Sequence, residues 1–175
     1  LQIRHKLHWS REIFDEARLA AELCRKHGAQ LIINDRADFA LLLDAGLHVG
    51  QDDLTPGDAR RLMGPDRVLG FSTHNAEQLS AAASEPVTYV ALGPVFSTAN
   101  KENPDPEVGL ANLAAWRPLV SGPLVAIGGI TRANALSVID AGADSLAVIG
   151  DLLPEVCTGS TLRERFGEWV RLLEL

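Results

Sequence analysis

Residues 124–150 read LVAIGGITRANALSVIDAGADSLAVIG. An apolar run, Leu124 to Ile127, is followed by two glycines. A helical pattern then runs from Thr131 to Ala141, and a second apolar run, Leu146 to Ile149, ends at Gly150. Neither run alternates with polar residues. Continuously apolar strands are those covered on both faces, and two of them joined through a helix make a parallel βαβ unit. The Gly128-Gly129 step lets backbone N–H groups approach an anion where a helix begins. Its plain alternative is a tight strand-to-helix turn that binds nothing.

The same unit recurs in both directions from this stretch. Upstream, Gln30 to Ile33, Leu47 to Val49, Val68 to Phe71 and Val87 to Leu92 read as strands. Helical patterns separate them: Ser10 capping a helix that ends at Gly28, Phe39 to Leu43, Thr55-Pro56 with Asp58 opening another, and Thr73 to Ser84. A long polar loop runs from Gly93 to Val108, then a helix from Leu110 to Leu119. Downstream, Thr161 to Leu173 reads as a closing helix. Strict βα alternation means a parallel sheet. Polar and glycine-rich motifs follow nearly every strand, as in a (β/α)8 barrel, a TIM barrel, whose sites lie at one end of the strands. With Leu1 to Arg4 as a strand the count is seven, not eight. The expectation is one barrel domain over residues 1–175, N-terminally incomplete, with a first βα unit of roughly 30 residues upstream. An open seven-stranded sheet is the alternative.

The chain carries 16 Lys and Arg against 23 Asp and Glu, a net charge of −7, with 46% apolar and 22% charged residues. That balance suits a folded domain and argues against coating a nucleic acid. No apolar stretch is long enough to span a bilayer and no secretory pattern opens the chain, so a cytoplasmic protein without a membrane partner is expected. Cys24 and Cys157 lack the spacing of a disulfide framework or a zinc site.

The polar motifs suggest small anions. Gln2, Arg4 and Lys6 alternate in QIRHK, and alternate residues of a strand share a face. Three such donors suit a diphosphate, while a solvated terminus would also scatter charges this way. Asn34-Asp35 follows one strand, and Asp53 follows the next in HVGQDD. Mg²⁺ takes one or two carboxylates and completes its shell with water and substrate phosphates. Asn-Asp is also an ordinary turn, and Asp52 serves as well as Asp53 by spacing. Ser72 could bind a polar ligand or tie down its turn. His74 tempts as a base, but spacing gives it no carboxylate partner, and a capping or packing role fits it better. Thr98, Asn100 and Lys101 put donors in the long loop, and loops of that length are often functional. Gly129, Ile149 and Gly150 sit where barrels commonly hold a phosphate.

As an ordered set, QIRHK, IIND, HVGQDD, FSTH, GPVFSTANK, AIGGIT and GADSLAVIG resemble the thiamine phosphate synthase and thiazole tautomerase superfamily over essentially the whole chain. The resemblance implies a transferase of thiamine biosynthesis. Such an enzyme couples hydroxymethylpyrimidine diphosphate to thiazole phosphate and releases pyrophosphate, with Mg²⁺ as cofactor. It implies that Gln2, Arg4, Lys6 and Lys101 hold the diphosphate, with Arg4, Lys6 and Lys101 catalytic. Ile3 and His5 fall within that first segment, and Ala99 within the second. Asn34 and Ser72 would contact the pyrimidine, Asp35 and Asp53 would bind Mg²⁺, and Thr98, Asn100, Gly129, Ile149 and Gly150 would line the thiazole phosphate pocket. No nucleophile–base dyad is visible, and a leaving polyanion needs electrostatic stabilisation instead. The chain departs from the family at Asn100, where threonine is usual, and at Gly150, often serine. Two other readings remain: a thiazole tautomerase, disfavoured by Asp35, Asp53, Lys101 and Pro94, and a non-catalytic phosphate-ligand domain fused to another domain upstream. The oligomeric state is left open.

Overall fold

The computed structural model describes residues 1–97 and 105–173. Strands and helices alternate as β1 (Gln2–Ile3), α1 (Arg11–His27), β2 (Ile32–Asn34), α2 (Ala37–Leu42), β3 (Gly46–Val49), α3 (Pro56–Met63), β4 (Leu69–Thr73) and α4 (Ala76–Ala82). They continue as β5 (Tyr89–Leu92), α5 (Gly109–Trp116), β6 (Leu124–Ile127), α6 (Ala135–Asp140), β7 (Ser145–Ala147) and α7 (Gly159–Leu172). The sheet order is β1-β2-β3-β4-β5-β6-β7. That order never reverses, whereas a doubly wound sheet must reverse at a switch point. The sequential order with alternating helices is that of a (β/α) barrel sheet.

Two compact units make up the chain, Leu1–Thr73 with Ser84–Val90, and His74–Ala83 with Ala91–Leu175. In the first, β1 to β4 pair in parallel, with Ile33 opposite Leu47 and Leu47 opposite Leu69. These three side chains are fully buried, as are Ala40, Ala59 and Val49 from the covering helices and sheet. The Ser10 hydroxyl accepts from Ile13 N–H to start α1, and Gly28, left-handed at φ 66, ends it. Thr55 caps α3 through Asp58 N–H, while the Asp58 carboxylate accepts from the Thr55 hydroxyl at 2.8 Å. Arg60 on α3 donates to the carbonyls of Gly64 and Arg67, at 2.9 and 2.7 Å, and of Pro86 at 2.8 Å. One guanidinium thus closes the loop before β4 onto the segment before β5.

In the second unit β6 and β7 pair in parallel, Val125 opposite Ser145. Leu79, Leu92, Val95, Leu113, Leu124 and Val138 are buried at its core, with Trp169 of α7. Val95 N–H donates to Ile127 O at 2.9 Å and Phe96 N–H to Gly128 O at 3.1 Å, so the chain leaving β5 runs beside the end of β6.

Several boundaries differ from the sequence reading. Asn34, Ser72 and Thr73 belong to strands, not to the loops after them. β1 covers only Gln2–Ile3, so Arg4 and Lys6 do not share a strand face with Gln2. The helix expected from Thr131 starts at Ala135, because the Asn134 side chain accepts from Thr131 N–H at 2.8 Å and holds a turn in its place. β7 ends at Ala147, leaving Ile149 and Gly150 beyond the strand, the latter opening a 3-10 turn, Gly150–Leu152.

Candidate functional site

In the first unit, neighbouring strand ends collect polar groups. Asn34, 8% exposed, closes β2, and its Oδ1 accepts from Gln2 Nε2 at 3.1 Å. Asp35 follows in the left-handed region at φ 66, and its N–H donates to His48 O at 2.8 Å. Aspartate tolerates this conformation better than most residues, and it swings the carboxylate out of the strand's alternation. There it pairs with Lys6. Arg4 lies exposed beside it in sequence, and His5 packs edge-on against Trp9 at 6.0 Å.

Asp35 and Asp53 lie close enough for each carboxylate to feel the other's charge. Burial raises the Asp35 carboxyl above its ordinary value, Lys6 pulls it down, and Asp53 pushes it up again. Asp53 is itself held by Gly50 N–H at 2.8 Å. So Asp53, not Asp52, is the carboxylate that meets Asp35. Two carboxylates forced together are what a divalent cation relieves. A pair, with no third His, Cys, Asp or Glu grouped with it among the described residues, suits Mg²⁺, which keeps water and phosphate oxygens in its shell. The residues present fit that ion.

Beyond this pair lies a chain of side chains that the motifs did not single out. His48 on β3 is buried, with Nδ1 2.8 Å from the Tyr89 hydroxyl and Nε2 2.8 Å from the Ser72 hydroxyl. Burial lowers its pKa to about 4, with Asp53 opposing weakly, so the ring is neutral. Whichever nitrogen carries the proton donates, and the other accepts. Burial also raises Tyr89 to about 12. Gly70 leaves room for this contact: a Cβ there would overlap both Tyr89 and His48. Gln51 Nε2 donates to Ser72 O, fixing the same strand end from its backbone. Gln51 and His48 stood within HVGQDD, but only the fold reveals their partners.

In the second unit, Gly129 follows β6 at φ 63, where a Cβ would overlap the Ser97 carbonyl oxygen and the Phe96 Cβ. The Asn134 amide braces its turn, donating to Gly129 O at 3.1 Å. Ile149 and Gly150 are both exposed. Arg132 and Asp151, the latter directly after Gly150, form an ion pair at 2.8 Å that sequence spacing did not suggest. His74 gains the carboxylate that spacing denied it, Asp105 at 3.5 Å, but Nδ1 also lies 2.6 Å from Gly93 O, and its N–H donates to Gln78 Oε1 at 2.8 Å beside the Asn75 cap. The capping role fits better than a base. Thr98, Ala99, Asn100 and Lys101 lie outside the described residues.

No described helix is long and apolar enough to cross a membrane. Residues 1–152 match a family model described as thiamine monophosphate synthase. A thiamine-phosphate synthase of Koribacter versatilis is 52% identical over 176 residues, covering 99% of this chain and 79% of that protein. One from Synechococcus is 43% identical over 93% of this chain, which spans 46% of that longer protein. Among solved structures, thiamine phosphate pyrophosphorylase from Pyrococcus furiosus superposes with a TM-score of 0.84 at 30% identity, over 99% of this chain and 81% of that one. The tryptophan synthase α-subunit of Pyrococcus furiosus, 14% identical at a TM-score of 0.69, shares the fold alone. Fold, motif order and these likenesses agree: the chain belongs to the thiamine monophosphate synthase family.

Proposed function

We propose that this chain is a thiamine phosphate synthase, a transferase coupling hydroxymethylpyrimidine diphosphate to thiazole phosphate. The observation that carries the reading is the juxtaposition of Lys6, Asp35 and Asp53 beside the Gln2–Asn34 amide pair, in a chain of this family. In the reaction the bond from the pyrimidine methylene carbon to the diphosphate oxygen breaks, and its electron pair leaves with pyrophosphate. The thiazole nitrogen lone pair then forms the new carbon–nitrogen bond.

Gln2 and Asn34 orient each other, so their remaining amide groups face the pyrimidine as a fixed donor–acceptor set. The Ser72 hydroxyl, held by neutral His48, offers a third polar contact. Lys6, Arg4 and Lys101 stabilise the charge that grows on the departing diphosphate. Asp35 and Asp53 would hold Mg²⁺, which supplies further neutralisation of that leaving group when bound. Gly129, Ile149 and Gly150 would meet the thiazole phosphate, a role the family resemblance also gives to Thr98 and Asn100. None of these roles requires a proton to be removed by a base, so the neutral His48 beside the Ser72 hydroxyl serves to orient it. A tautomerase would not need the carboxylate pair. Phosphorylated substrates that do not cross membranes place the reaction in the cytoplasm.

The experiment is a coupling assay with both substrates across a Mg²⁺ titration, following thiamine phosphate and pyrophosphate together. Equimolar products, dependent on Mg²⁺, are expected. Absence of both at saturating substrates overturns the reading.

A further inference from the structure

The two loops assigned to the thiazole phosphate are joined by a ring of four side chains. The ring is anchored on α7, which lies beyond the residues that match the family model. Arg132 stands just past Gly129, and Asp151 just past Gly150. Asp151 Oδ2 accepts from both the backbone N–H of Arg132, at 3.2 Å, and its Nε, at 2.8 Å, while Oδ1 lies 3.4 Å from Nη2. One carboxylate therefore grips the backbone and the side chain of the other loop at once. Arg132 Nη1 then pairs with Glu168 on α7. Glu168 lies 3.2 Å from Arg165 Nε, and Arg165 Nη1 returns to the backbone carbonyl of Asp151 at 2.8 Å. Charges alternate in sign around the ring, and the Asp151 side chain is only 16% exposed.

We infer that Asp151 is a positioning residue for phosphate binding: it fixes the separation of the Gly129 and Gly150 loops without touching the phosphate. This rests on the reading of Gly129 and Gly150 as phosphate-pocket residues. Backbone N–H donors hold an anion well only when their spacing is set before it arrives. Gly129 and Gly150 have no side chains with which to adjust. Arg132 is held to the brace, because its Nε, Nη1 and Nη2 each have a carboxylate partner in Asp151 or Glu168. The ring ties both loops to one long helix, so the pocket's width is held by α7 as well as by the sheet.

The test compares wild type with Asp151→Ala and Glu168→Gln in steady-state coupling assays. Each uses thiazole phosphate and, separately, the unphosphorylated thiazole alcohol. Asp151→Ala should raise KM for thiazole phosphate about tenfold, about 1.4 kcal/mol of binding, because the backbone donors lose their set spacing. The KM for the pyrimidine diphosphate and kcat/KM for the alcohol should stay within about twofold. Glu168→Gln, which leaves both loops intact, should give a smaller rise of the same kind and keeps the test open if Asp151→Ala fails to fold. Equal losses with phosphate and alcohol would show general damage and overturn the inference. So would a lower KM for thiazole phosphate, which would mean that the ring holds Arg132 away from the anion. Calorimetric titration with inorganic phosphate separates this inference from the synthase reading. Phosphate binding weakened by Asp151→Ala in a chain without turnover sinks the synthase reading and keeps the brace. Turnover and phosphate binding insensitive to Asp151 sink the brace alone, and a wild-type chain with neither turnover nor phosphate binding sinks both.

Discussion

The His48 imidazole spans the gap between Tyr89 on β5 and Ser72 on β4, 2.8 Å from each hydroxyl. Burial disfavours the charged ring, so the imidazole is neutral, with one nitrogen donating to a hydroxyl and the other accepting from one. Ser72 is thereby given a fixed partner.

This makes stability pH-dependent with a definite sign. The folded His48 pKa of about 4 lies below the ordinary 6.5, so between these values the unfolded chain binds a proton that the folded chain does not. Stability is full above about pH 6.5 and falls as pH drops toward 4, by about 3 kcal/mol in total. Urea unfolding of wild type and His48→Gln at pH 7.0 and at pH 4.5 measures it. The variant should lose clearly less stability between the two conditions, since carboxylate titrations are common to both chains.

Gly70→Ala should cost about 1–3 kcal/mol, because a methyl group there overlaps both Tyr89 and His48. Tyr89→Phe should cost a similar amount for a different reason, leaving Nδ1 of a buried imidazole without its partner. Denaturant midpoints check both, and in each variant KM for the pyrimidine diphosphate should rise as Ser72 loses its fixed orientation.

Asp53→Asn should abolish most of the Mg²⁺-dependent rate while leaving the fold intact, since Asp53 is exposed and packs against nothing apolar in the core. A second readout needs no activity. With the neighbouring charge gone, the Asp35 carboxyl should titrate at lower pH, which NMR of its carboxyl carbon follows. An unchanged Asp35 titration would separate the two carboxylates.

Arg60→Lys keeps the charge but cannot reach the carbonyls of Gly64, Arg67 and Pro86 together. It should cost about 1.5–3 kcal/mol in urea unfolding, the worth of charged hydrogen bonds lost inside a folded unit, with little change in KM for either substrate.

The alternation of strands and helices was legible in the sequence because strands covered on both faces leave runs such as Leu124 to Ile127, and those runs survive any choice of loop. Strand ends were not legible. Asn34 and Ser72 look like loop residues, yet each extends a strand because its side chain finds a partner on the neighbouring strand end, Gln2 or His48. The carboxylate pair was readable from motif order, and only the left-handed turn at Asp35 shows which aspartate it meets. The Arg132–Asp151–Glu168 ring was out of reach, because its members lie 19 and 36 residues from Arg132 and belong to no local pattern.

Tyr89 is the chain's only tyrosine. The absorbance of its phenolate is therefore a one-residue optical signal, arising at the start of β5. In the folded chain that signal emerges near pH 12, and in the unfolded chain near the ordinary 10. Burial alone raises it, so loss of the packing around Tyr89 returns the signal toward pH 10. Ultraviolet titration of the unlabelled protein can thus report the unfolding of this one strand end, without turnover and without either substrate.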